Sequence, residues 1–155
     1  MPAQMFFYDN YYDLQWGAMN LKTADIRVML VTSDYTFDAS HETIAAVLGS
    51  PSCEVAAIAS PSNGYTTGGE LLANGAVTVV ASPKTTQYDA DDVVWTALDA
   101  TFRYAIYYID GEVEGITDPP LCCVLLDNTP ADIVVSGVDY KLQHSANGLF
   151  TSALL

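Results

Sequence analysis

The sequence predicts an all-β fold, a β-sandwich or jelly-roll-like single domain with one or two short helices. Three observations predict it. Residues 101–110 alternate, with Phe102, Tyr104, Ile106 and Tyr108 set against Arg103, Ala105, Tyr107 and Ile109, the period of a strand. Apolar runs rich in β-branched residues recur at 26–32, 76–80 and 133–138, separated by turn-forming clusters. Helical patterning is confined to two short stretches, and 155 residues fit one domain with a proper core.

In chain order, the first stretch is 5–20, dense in aromatics: Phe6, Phe7, Tyr8, Tyr11, Tyr12 and Trp16. The spacings Phe7/Tyr11/Leu14 and Tyr8/Tyr12 suit one face of a short helix that Gly17 ends. Residues 26–32 read as a central strand. Ser40 is the expected N-cap of a short helix over 42–48, stopped by Gly49-Ser50-Pro51. An apolar stretch at 53–59 leads to the turn Pro61-Ser62-Asn63-Gly64. Asn74-Gly75 lies between 70–73 and 76–80, the pattern of a hairpin. Residues 87–96 and 101–110 follow as strands, then a loop from Asp110-Gly111 to Pro119-Pro120. Residues 121–127 are apolar on both faces, as in a central strand covered on each side. Residues 131–142 and 149–155 close the fold, so 1–20 is an aromatic segment or arm and 21–155 the sandwich domain.

Nineteen Asp and Glu stand against five Lys and Arg, a net charge of −14. Such a field repels phosphate backbones, which argues against nucleic acid, and favours a basic partner surface through salt-dependent contacts. The cysteines Cys53, Cys122 and Cys123 form neither an even disulfide framework nor a metal-ligand spacing. On a strand, the neighbours Cys122 and Cys123 point to opposite faces as small hydrophobes. No basic segment followed by a long apolar stretch opens the chain, and no run reaches membrane-spanning length, so the expectation is synthesis in a cytosol and no membrane contact.

The string Ile26-Arg27-Val28-Met29-Leu30-Val31-Thr32-Ser33-Asp34-Tyr35-Thr36 resembles the first strand of a family of small tailed-bacteriophage virion structural proteins. Gly64-Tyr65-Thr66-Thr67-Gly68-Gly69, followed by Leu72-Ala73-Asn74, is similar to that family's signature loop. Asp89-Ala90-Asp91-Asp92-Val93 with Trp95, then Thr101-Phe102-Arg103-Tyr104-Ala105 and Ser145-Ala146-Asn147-Gly148-Leu149, follow in the family's order. The match runs from about Leu21 onward, and the aromatic N-terminal segment and the region 119–123 depart from it. The resemblance implies a virion component made in the host bacterial cytoplasm.

Catalysis needs a nucleophile paired with a base, and the two histidines, His41 and His144, show no such spacing. Asp89, Asp91 and Asp92 have the composition of a calcium site, but they lack the glycine and distal Glu of the helical calcium loop. Their alternative role is a solvated turn, with Arg103 placed to pair one of them across strands. Gly64, Gly68 and Gly69 lack the Lys-Ser/Thr of a phosphate cradle and suit a tight turn. No cofactor is expected. The expected function is non-enzymatic: a capsid cement or decoration protein, likewise a homo-oligomer, that binds the major capsid protein or other virion proteins. Its interface would draw on Phe6, Phe7, Tyr8, Tyr11, Tyr12 and Trp16. The alternative is a tail, tail-tip or fibre-associated structural protein. A carbohydrate-binding module would require an exposed Trp16 or Trp95.

Overall fold

The computed structural model describes residues 4–15, 17–81, 84–127, 129 and 131–153. Its elements in chain order are β1 (Gln4–Phe7), α1 (Asp9–Leu14), β2 (Ile26–Val31), α2 (Ile44–Leu48), β3 (Glu70–Leu71), β4 (Ala76–Ala81) and β5 (Lys84–Asp89). They continue with β6 (Val93–Phe102), β7 (Tyr104–Ile109), β8 (Glu112–Val113), β9 (Ile116–Thr117), β10 (Pro120–Leu125), β11 (Ile133–Leu142) and β12 (Phe150–Ala153). The fold is all-β, with two short helices.

A five-stranded antiparallel sheet in the order β1-β10-β7-β2-β3 forms the middle of the molecule. Its strands are apolar at nearly every position because both faces are covered. Side-chain alternation divides β7 cleanly. Ala105, Tyr107 and Ile109 join one core, with Val28, Leu30, Trp95, Leu98, Phe102, Val135 and Leu142. Tyr104, Ile106 and Tyr108 join the other, with Tyr8, Met29, Val31, Tyr35, Ile44, Val47 and Cys53. The first core lies beneath the long two-stranded ribbon of β6 and β11, the second beneath α2 and its flanking loops. Cys122 enters the first core and Cys123 the second, as period two requires. A register shift between Pro120 and Cys122 also lets Leu121 enter the first. A third sheet, β12-β5-β4, packs Tyr88 and Phe150 against the same core.

Several local expectations are corrected by non-local pairing. The aromatic opening is a strand and then a helix, because β1 finds a partner in β10. Residues 101–110 are two strands meeting at Arg103, whose N–H donates to the Val31 carbonyl (2.9 Å) as the chain passes from ribbon to sheet. Phe102 and Tyr104 therefore serve different cores. Asn74-Gly75 does not close a hairpin: β3 pairs with β2, while β4 pairs with β5. Thr43, not Ser40, caps α2, its hydroxyl accepting from the Ala46 N–H (3.2 Å). Ser40 is drawn back to the Asp38 carboxylate instead. The loop before β10 contains the small hairpin of β8 and β9.

The segment 64–69 crosses the edge of the five-stranded sheet and is fixed there by one carboxylate. Glu54 Oε1 accepts from the Tyr65 hydroxyl (2.8 Å) and from the Gly68 N–H (2.6 Å). The Tyr65 oxygen also accepts from the Leu30 N–H (3.2 Å), and the Tyr108 hydroxyl donates to the Gly68 carbonyl (2.8 Å). Gly69 has φ of 73°, and a Cβ there would stand 2.0 Å from the Val28 carbonyl oxygen. Only glycine fits this crossing.

Candidate functional site

The N-terminal aromatics are mostly turned inward. Pairing of β1 with β10 sends alternate residues to the two cores, so Tyr8 is fully buried with its hydroxyl on that of Tyr35, and burial raises its ionisation well above the ordinary range. Tyr11 is buried between Phe7 and Phe150, with ring centroids 4.5 and 5.6 Å away. Phe6 and Phe7 are half-buried, Phe6 packing on Phe37 at 5.3 Å. Tyr12 is 52% exposed and is the described member of the set with an open ring. Trp16 lies outside the described residues. Tyr8 and Tyr11 are thus core residues rather than an interface, because the segment is itself part of the sheet.

Asp89, Asp91 and Asp92 line one cleft with His144, but each carboxylate has its own separate partner. Asp89 Oδ1 accepts from the Ala90 N–H (3.0 Å), and Asp91 Oδ2 from the Asn74 side-chain amide (2.6 Å). Asp92 takes the Lys141 ammonium (2.7 Å) and the His144 backbone N–H (2.8 Å). Lys141 first, and then that N–H, hold the Asp92 carboxyl below the usual carboxylate range. Among the described residues no group of three His, Cys, Asp or Glu is arranged to hold a metal ion. Arg103 pairs with Asp132 (2.8 Å), not with this cluster, because the corner at Arg103 points it along the ribbon's far end.

The two histidines occupy separate clefts. His41 shares one of about 360 Å³ with Asp34, Tyr35 and Cys53. The Cys53 thiol donates to the Val47 carbonyl (3.6 Å), and burial pushes its ionisation up, opposite to the shift a nucleophile needs. The His41 Nδ1 is buried without a hydrogen-bond partner among the described residues. His144 lies between β11 and β12, with Nδ1 3.1 Å from the Ala90 carbonyl and Nε2 3.1 Å from the Tyr107 hydroxyl. A carbonyl only accepts, so Nδ1 carries a proton, and in the neutral imidazole Nε2 accepts from the Tyr107 hydroxyl. Tyr107 is buried and its ionisation is raised by that burial, which makes this contact a structural hydrogen bond.

A third cleft, of about 320 Å³, opens between α1 with its following loop and the inner face of the three-stranded sheet. Tyr11, Met19, Leu21, Val77, Tyr88 and Phe150 supply its apolar wall. The rings of Tyr11, Tyr88 and Phe150 are buried, so they offer no open stacking platform. Of the two tryptophans, one of which the carbohydrate-binding reading needs open, Trp95 is 1% exposed in the first core, and Trp16 lies outside the described residues.

The rest of the described surface carries charge and scattered exposed apolar side chains, Ile58, Leu71 and several valines besides Tyr12. Arg27–Asp110 (2.6 Å), Arg103–Asp132 and Lys141–Asp92 hold three of the five Lys and Arg in ion pairs within the chain. The excess of carboxylate is therefore a property of the folded surface. Val79, Val134 and Val138 are 65%, 72% and 59% exposed. Sequence reading missed the Glu54 anchor, whose one signal is a lone carboxylate in the apolar stretch 53–59. It also missed the open edge of β4, because a strand's neighbours are not written in its own residues. No protein-family model, no curated protein and no solved structure matches the chain, so its functional reading stands on its own residues.

Proposed function

We propose that this chain acts by adhesion and not by catalysis, as a small structural component of a tailed-phage particle that sits on the capsid as a cement or decoration protein. The observation that carries this reading is the folded surface charge. Most of the nineteen carboxylates have no cation of their own chain to meet, and a basic protein surface is their complement. The buried Cys53, the structural His144–Tyr107 contact and the separately bonded Asp89, Asp91 and Asp92 support a binding role over a reaction. The motif order quoted above supports taking the virion as the assembly, with the major capsid protein as the partner.

The test is a density map of intact particles purified from cells that make this chain, joined to a salt wash of the same particles. Copies bridging capsid subunits, and released as NaCl rises from about 0.05 to 0.5 M, are the expected result. Copies confined to the tail would replace the cement reading by the tail-associated one. Particles lacking the chain would overturn both.

A further inference from the structure

We infer that the outer edge of β4 is a self-association surface, on which a second copy of this chain docks strand to strand across a two-fold axis. β4 is the terminal strand of the β12-β5-β4 sheet, and among the described residues no backbone hydrogen bond uses its outer side. The other long free edges are blunted. The ribbon's pairing carries two register shifts, one with its extra residue in β11 and one in β6, and the charges of Asp99, Asp139 and Lys141 lie along it, while β3 is two residues long. β4 has none of these protections. Its sequence Ala-Val-Thr-Val-Val-Ala contains no charge and no proline, and its pairing with β5 runs without a shift.

Charge decides the occupant. At −14 per chain, two copies repel over most of their surfaces, and contact is favoured where carboxylates are missing. Residues 75–88 contain no Asp or Glu, β12 contains none, and the one carboxylate in this sheet is Asp89 at the end of β5. Full overlap of two antiparallel β4 strands sets Thr78 opposite Val79 and Ala76 opposite Ala81. The row that holds Asp89 in one copy then holds Lys84 in the other, by the pairing of Ala76 with Asp89 and Ala81 with Lys84. Val79, 65% exposed, and Val80, 37% exposed, would be covered, giving a continuous six-stranded sheet.

This inference holds whatever the partner proposed above turns out to be, and salt separates the two. A basic partner is released by salt, whereas two acidic copies associate more tightly as NaCl screens their repulsion. The test is sedimentation of the purified chain at increasing protein concentration, in about 0.05 and 0.5 M NaCl. The expected result is a dimer whose dissociation constant falls at the higher salt. Val79→Asp should raise that constant by about tenfold or more by placing charge beside the two-fold axis, and Val134→Asp, an equal charge on the ribbon, should leave it unchanged. Thermal melts of both variants check that each is folded. A chain that stays monomeric at both salts, or a dimer indifferent to Val79→Asp, overturns the inference.

Discussion

β2 and β4 are six-residue strands of similar composition, Ile-Arg-Val-Met-Leu-Val and Ala-Val-Thr-Val-Val-Ala, with opposite fates. In β2 five of the six residues are buried, and Val28, Leu30 and Val31 are fully enclosed. In β4 Val77 is half-buried, and Val79 and Val80 open toward water. The difference lies in what crosses each strand. β2 has β7 on one side and β3 on the other, with the ribbon above and α2 below. β4 has one neighbour and one covered face. Propensity makes a strand of each, and only long-range contacts decide which is core.

That contrast is sharpest at high pH. Burial pushes the Tyr35 and Tyr108 hydroxyls from 10.0 up to about 12, and both belong to the core below the five-stranded sheet. Because their folded values lie above the unfolded value, the stability they contribute is complete below pH 10. It is lost as pH rises through about 12. Absorbance at 295 nm should therefore show these phenols ionising together with loss of circular dichroism. Smooth ionisation of every tyrosine with the fold intact would break the picture of a sealed central sheet.

Smaller effects follow in order. Ile106→Ala, at a fully buried position in β7, should lower stability by about 3–4 kcal/mol in urea unfolding. Gly69→Ala should remove about 2–3 kcal/mol by driving a methyl group into the Val28 carbonyl in a left-handed conformation. Tyr65→Phe, which strips Glu54 and Leu30 of one partner, should remove about 1–2 kcal/mol. Val79→Thr in β4 should stay within about 0.5 kcal/mol for the monomer. A β4 substitution as damaging as Ile106→Ala would erase the distinction between the two sheets.

Much of the fold was legible because period two is local. The all-β class, the two-faced burial of 121–125 and the opposed orientations of Cys122 and Cys123 are all written in consecutive residues. The failures were at joints. Residues 101–110 keep their alternation by eye, yet Arg103 is a corner, because its N–H bonds to Val31, seventy-two positions earlier in the chain. Asn74-Gly75 has hairpin chemistry, but β2 and β5 captured the strands on either side of it. The aromatic density of the N-terminal segment was visible, while its destination depended on β10. For the site, the charge was legible and the Glu54 anchor was not.

The opposed thiols on β10 carry a practical consequence. Cys122 lies in the layer under the ribbon, and Cys123 shares the layer under α2 with Cys53. A thiol reagent reaches Cys122 when the ribbon side opens and Cys123 when the helical side opens. Two single-cysteine variants would therefore clock the two covers independently. Their labelling rates would show whether the covers open as separate cooperative units or only when the whole chain unfolds.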